Sequence, residues 1–408
     1  MSSVEQPDSP SPSPRQVLAD FGAVAFVNGL VAFIFAASGP VAIVLAVGTQ
    51  GGLTEPELSS WLFGSFFLNG LISVFFCWRY QQPLVFFWTI PGTVLVGPAL
   101  GHLSFAEVIG AFHATGLLML ALGLSGWVRR AMRWVPMPIV MAMVAAVFLR
   151  FGLGLVFAFR DDFWIAAPMT AVFIVLSTAT RLGRRVPPLI GSLLAGAAAV
   201  ALLGRFNPHA AQAVSMAWPN LVMPSFSWPA MIELVVPLAI TVLVVQNGQG
   251  IVVVRANGHE PPVNALTAAC GLGSILAALV GTVSTCLTGP VNAIISGSGE
   301  KSQHYVAGIF VGALALLFGL FSPVFTRLML ATPAAFIAAL AGLALLRVLQ
   351  TAFTSSFGDR FTLGALVTFV VTAADVAIFN IGAPFWGLVF GVAASWLLER
   401  EDFGSLRG

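Results

Sequence analysis

From Asp20 to Leu398 the sequence is a succession of apolar runs, each roughly 17–25 residues long, the length an α-helix needs to cross a bilayer. No other feature constrains the fold as strongly. In hydrocarbon every backbone N–H and C=O must be paired internally, so only helices and closed barrels can cross. Barrel strands would alternate apolar and polar residues over short segments, and these runs do not. Of the 408 residues, 58% are hydrophobic and 8% charged, against about 25% charged in soluble chains. The sequence therefore predicts an all-α polytopic membrane protein seated in a lipid bilayer.

Gly, Pro and charged breaks divide the chain into fourteen predicted spans. In the first half they lie near 20–48, 57–78, 84–100, 104–126, 134–157, 163–180 and 187–204. In the second they lie near 230–254, 263–281, 283–299, 304–322, 328–350, 361–378 and 382–398. Residues 1–19 begin with the Pro/Ser-rich stretch "MSSVEQPDSPSPSPRQ", which cannot bury a core and is predicted to be a disordered tail. It lacks the basic start and short apolar region of a signal peptide. Residues 205–229 form a connecting loop and 399–408 a C-terminal tail.

Landmarks recur at one period. Pro136 opens "PMPIVMAMVAAVFLR" and Pro333 opens "PAAFIAALAGLALLR", 197 residues apart, each ending in arginine. Gly92 in "IPGTV" and Gly289 in "LTGPV" are also 197 apart, and "PLIG" at Pro188 meets "PFWG" at Pro384 at 196. Two homologous halves follow, 20–204 and 230–398. Seven spans each is an odd number, so the second half must be inverted. The basic residues support this: with the N-terminus cytoplasmic, Arg150, Arg160, Arg205 and Arg327 fall outside and the other fourteen of eighteen inside. Both termini are then cytoplasmic. The formal charge of +2, spread along loops, points to no nucleic-acid partner.

Inverted repeats with interrupted helices at matching positions point to a transport site. "FFWTIPGTVLVG" and "STCLTGPVNAIISG" are the matching interruptions. Each reads as an extended entry followed by a half-helix, starting near Pro91–Thr93, including Gly92, and near Thr288–Pro290, including Gly289. A helix start directs free N–H groups and partial positive charge forward, which suits an anion. A second polar island places Gln246, Asn247 and Gln249 inside the eighth span, where amides either bind a carboxylate or glue helices together. Ser38, before Gly39-Pro40, is its counterpart in the first span. Phe87 and Trp88 offer aromatic contact to a substrate or pack against neighbours.

Ionisable residues inside spans are functional candidates by default. Glu107 and His113, in the fourth span, are candidate proton carriers. His102, His209, His259 and His304 show no metal-ligand spacing, and Cys77, Cys270 and Cys286 read as packing thiols, so neither metal nor cofactor is expected. A GxxxxGK[ST] loop is absent, as are the clustered His/Asp/Glu groups of a membrane enzyme.

Several blocks carry a resemblance. "WTIPGTVLVGPAL" (88–100), "LRFGLGLV" (149–156), "QNGQGIVVVRANGHEPPVN" (246–264), "HYVAGIFVGALALLFGLFSP" (304–323), "ALAGLALLRVL" (339–349) and "APFWGLVFGVAASWL" (383–397) resemble the BenE-type benzoate:proton symporter family. The resemblance spans roughly residues 20–398. It implies the fold of nucleobase, ascorbate and sulfate-type anion transporters, with spans 1–4 and 8–11 as a core and spans 5–7 and 12–14 as a gate. Substrate would lie between the third and tenth spans, and a homodimer would form through the gate. The chain departs from its relatives at the tenth span, "GTVSTCLTGPVNAIISG" (281–297), which offers Thr285, Thr288 and Asn292.

The combined expectation is a secondary active transporter of a bacterial inner membrane. It would carry a small organic anion, benzoate or a similar aromatic carboxylate, together with a proton, by alternating access. An exchanger or channel-like conductor of another anion or metabolite is the alternative.

Overall fold

The computed structural model describes residues 4–7, 10–128, 136–178, 186–207, 215–297 and 299–406. Arg129, Arg130, Arg133, Arg181, Arg184, Arg185, His209 and Arg407 lie outside the described residues. Within these, seven helices are long and apolar enough to cross a membrane, and further apolar helices are shorter. A short helix α1 (Pro14–Asp20) precedes the first apolar run. That run is two helices, α2 (Ala23–Ala37) and α3 (Gly39–Gln50), which meet at Ser38, where the backbone leaves helical geometry. Gly39-Pro40 restarts the helix, since proline in a first turn gives up only an N–H that has no partner there.

Next come α4 (Glu55–Phe63) and α5 (Asn69–Tyr80), one rod widened to π geometry between them, then strand β1 (Phe86–Trp88) leading into α6 (Ile90–Ala99). The first half closes with α7 (Phe105–Ser125), α8 (Met137–Asp161), α9 (Phe163–Thr178) and α10 (Pro188–Leu202). The second half opens with α11 (Trp228–Ala256), which carries two π-type widenings, and α12 (Val263–Ala278). Strand β2 (Thr285–Leu287) leads into α13 (Gly289–Ser296), followed by α14 (His304–Leu320) and α15 (Ser322–Leu330). Helices α16 (Ala334–Ser356), α17 (Thr362–Ala374) and α18 (Ala383–Leu398) complete the chain.

The repeat is visible in how helices begin. Pro136 and Pro333 are the N-caps of α8 and α16, which pack along each other. Near the strands the correspondence differs from the sequence expectation. Thr89 and Thr288 immediately precede α6 and α13, and Phe105 and His304 open α7 and α14; both pairs are 199 apart. Gly92 and Gly289, at 197, are therefore not equivalent: Gly289 opens α13, whereas Gly92 is the third residue of α6. The first half carries two more residues between the start of α7 and Pro136.

Two other expectations are corrected. The predicted span 328–350 straddles two helices, because Pro333 cannot continue α15 and instead caps α16. The N-terminal tail is docked where it is described. Glu5 accepts the Asn264 and Ala265 N–H groups at the start of α12, both at 3.0 Å, and Trp78 donates to the Pro12 carbonyl at 2.9 Å. A tail too polar for a core can still satisfy open helix ends. Likewise Glu399 of the C-terminal tail accepts from the Leu363 and Gly364 N–H groups at the start of α17.

Candidate functional site

The two strands pair antiparallel, Phe86 with Leu287, Phe87 with Cys286 and Trp88 with Thr285. Extended backbone at membrane depth is tolerated only if surrounding protein satisfies it, and both outer edges are satisfied alike. Ser73 on α5 accepts the Phe86 N–H at 2.8 Å, and Ser274 on α12 accepts the Thr285 N–H at 2.9 Å. The strand ends cross-bond reciprocally: Thr89 N–H donates to the Ser284 carbonyl and Thr288 N–H to the Val85 carbonyl.

Several residues expected to touch substrate instead build this platform. Asn247 accepts the Leu287 N–H at 2.8 Å, while Asn292 accepts the Val85 N–H at 2.9 Å and donates to the Val85 and Thr288 carbonyls. Thr285 donates to Asn69 Oδ1 at 2.8 Å. Thr93 and Ser38 donate to carbonyls within their own chain segments, those of Thr89 and Phe35. Asn247 and Asn292 thereby pair strand backbone, while Thr285, Thr93 and Ser38 are engaged with Asn69 and with carbonyls of their own segments.

The half-helix starts differ. At α6 the Thr89 hydroxyl accepts the Gly92 N–H at 3.2 Å, and Pro91 has no N–H to offer. At α13 Thr288 makes no side-chain cap, which leaves the Gly289 and Val291 N–H groups around Pro290 without one. Gln249 of α11 lies beside this start: a Cβ on Gly289 would sit 2.7 Å from its Cδ. Glycine here is what lets the amide approach.

A cavity of about 1200 Å³ extends from this point. Phe87, Trp88, Pro91, Gln246, Gln249 and Thr288 line it, the subset of predicted substrate contacts that the fold gathers together. Its walls are otherwise mostly apolar, with Met141, Phe148 and Phe173 facing the strands from α8 and α9. Phe87, Trp88 and Thr288 are buried, whereas Arg347, Thr351 and Ser355 on α16 are exposed, so the cavity narrows inward from a polar mouth. Trp88 also holds its indole N–H buried with no acceptor.

Glu107 and His113 stand apart from the cavity. Glu107 forms a capping box with Ser104 at the exposed start of α7, and His113 Nδ1 bonds the Ile109 carbonyl at 2.9 Å. Both side chains are explained by local helix chemistry. The residue that sequence reasoning missed is Arg347. It stood out as a repeat landmark, and its place at the cavity mouth depends on the packing of α16 against α8 and α3. A scarce cation on an otherwise apolar helix was the available signal.

Polytopic helices, a strand pair entering two half-helices and an apolar cavity ending at a helix start define a membrane transport protein. Residues 19–397 match the family model described as benzoate membrane transport protein, BenE, and the chain belongs to that family. It is 26% identical over 388 residues to the benzoate membrane transport protein of Acinetobacter baylyi, covering 93% of this chain and 96% of that protein. It is 28% identical over 375 residues to the inner membrane protein YdcO of Escherichia coli K12, covering 89% and 93%. Among solved structures, the transmembrane domain of the cyanobacterial bicarbonate transporter BicA matches with a TM-score of 0.60 at 14% identity, covering 90% of this chain and 97% of that one. The murine anion transporter Slc26a9 in its inward-facing state matches at 0.63 and 16%, covering 97% and 73%. These likenesses establish a shared fold, and the chain is a transporter rather than an enzyme.

Proposed function

We propose that the protein carries benzoate or a similar aromatic carboxylate across a bacterial inner membrane by proton symport with alternating access. One observation carries this reading: the uncapped start of α13 lies at the buried end of an apolar, aromatic-walled cavity, with Gln246 and Gln249 beside it. A carboxylate there meets N–H donors and amides in low dielectric, where such contacts are strong. The ring lies against Phe87, Trp88 and Phe148. Arg347 at the mouth draws the anion inward without a charge having to be buried at the site.

In this reading the core comprises α2–α7 and α11–α14, the gate α8–α10 and α16–α18, and the fourteen spans cross as inverted halves of seven. The exposed mouth residues lie at ends assigned to the cytoplasm by the arginine distribution, so this is an inward-open state. The family membership and the named activity of the Acinetobacter relative support benzoate. Pairing of two copies through the gate fits the same scheme.

The test is uptake of labelled benzoate, with a panel of other carboxylates, into proteoliposomes with and without an inward proton gradient. Gradient-stimulated uptake of benzoate is expected. No stimulated uptake of any carboxylate would sink symport, and uptake of inorganic anions alone would favour an anion conductor instead.

A further inference from the structure

At the end of α11 remote from the cavity, three elements converge on one carboxylate. Glu233 precedes Gln249 by sixteen residues on α11, about 24 Å at ~1.5 Å per residue, and its side chain is 2% exposed. His102, in the turn between α6 and α7, brings Nε2 within 2.8 Å of Oε2. From the other side the turn before α18 presents Gly382, whose N–H donates to the same carboxylate. A Cβ on Gly382 would overlap Oε1, so only glycine permits this approach.

The surrounding charges are already engaged. Asp375, at the end of α17, is paired with Arg150 of α8, so that arginine does not neutralise Glu233. Glu107, on α7 near His102, is held by Ser104 at the exposed helix start. With His102 neutral and donating from Nε2, the pair carries one negative charge almost wholly shielded from water. Uptake of one proton turns it into an imidazolium–carboxylate or imidazole–acid pair of no net charge. His102, at 21% exposed, gives that proton a route from water.

We propose that the His102–Glu233 pair is the binding site of the coupled proton, and that its charge state sets how firmly core and gate hold together on the rim opposite the cavity mouth. This inference rests on the proton-coupled transport and the core–gate division proposed above. His102 and α11 belong to the core, and Gly382 to the gate. With Glu233 ionised, the Gly382 N–H makes a charge-assisted bond to it. Once the proton passes to Glu233, that bond becomes a neutral one, roughly half as strong. A proton arriving from the outer water therefore loosens the closed outer rim at the same step in which it is bound.

Glu233→Gln keeps the shape and removes the titration. The probe is labelled benzoate in proteoliposomes, with benzoate binding in detergent showing that each variant is folded. Exchange at equal pH is expected to persist, while stimulation by an inward proton gradient falls by about fivefold or more, the range of an ordinary coupling free energy. His102→Gln is expected to show the same split and to flatten the dependence on outside pH. Wild-type stimulation and pH profile in both variants would overturn the pair's role and leave symport standing. No stimulation in the wild-type protein would overturn both readings.

Discussion

At the start of α6, Thr89 turns its hydroxyl onto the Gly92 N–H; at the start of α13, the equivalent Thr288 makes no such cap and lies on the cavity wall. The strands before them are unequal in the same sense. β1 supplies Phe86, Phe87 and Trp88, where β2 supplies Thr285, Cys286 and Leu287. Even the fourth helical residues differ: Thr93 bonds within its own helix, whereas Asn292 reaches across to the Val85 backbone. The inverted halves thus share one scaffold and divide the labour. The first half provides a sealed helix end and an aromatic wall. The second provides the open helix end, the one at which the proposed anion would find donors.

The division is broken most severely by leucine at the two glycines. A Cβ on Gly289 meets the Gln249 amide at 2.7–2.8 Å, so Gly289→Leu displaces the amide and fills the space before the α13 start. Loss of detectable benzoate binding with a folded protein is expected. A Cβ on Gly92 instead meets Thr89 and, at 3.0 Å, Leu238, inside packed structure. Gly92→Leu is expected to cost about 1–3 kcal/mol of stability, the usual range for overpacking, while retaining affinity. Binding isotherms and thermal melts on both variants decide this. Equal loss of binding in both would mean that the two helix starts act together.

How much of this is legible in the sequence follows from what each signal encodes. Apolar length reported the helices and Pro136 a helix start, because both follow from backbone hydrogen bonding that composition controls, whereas the start at Pro333 was passed over inside the predicted span 328–350. The interruptions at Pro91 and Pro290 were legible for the same reason. The antiparallel pairing was not, since three-residue strands depend on Ser73 and Ser274 from helices distant in sequence. Polar residues were visible as a set, but Asn247 and Asn292 look like Gln246 and Gln249 until the strands are in place. Which amide is spent on backbone and which faces the cavity is a tertiary fact. Arg347 was hidden for a similar reason, as its neighbours across the cavity come from the other half of the chain.

A smaller contrast is available at the caps themselves. Thr89→Val removes the acceptor of the Gly92 N–H and is expected to cost about 1 kcal/mol, as loss of an N-cap does, with affinity little changed. Thr288→Val removes no cap and is expected to leave the melting temperature in place while weakening benzoate binding several-fold, about the worth of one neutral hydrogen bond. Paired calorimetry and binding on the two variants give a crossed pattern if the ends are specialised. A parallel pattern would return both threonines to the same role.

The smallest expected effect concerns what anchors each half-helix at its far end. α13 runs into the turn that leads to α14, where His304 Nδ1 lies 3.1 Å from His259 Nε2 and both rings are buried. Burial first, then the neighbouring His304 and Lys301, push His259 down from 6.5 to about 4. A histidine held neutral by the fold contributes stability that is complete above 6.5 and drains away as pH falls toward 4. α6 has no equivalent in its own loop, which ends instead at His102 against Glu233. Hydrogen exchange followed from pH 7.5 downward should therefore show the 257–263 and 299–305 segments losing protection below about pH 6.5 before the β1–α6 segment does. His259→Asn should abolish that pH dependence. If β1–α6 loosened first, or His259→Asn left the profile unchanged, the acid sensitivity would belong to another group and the two far ends would be anchored alike.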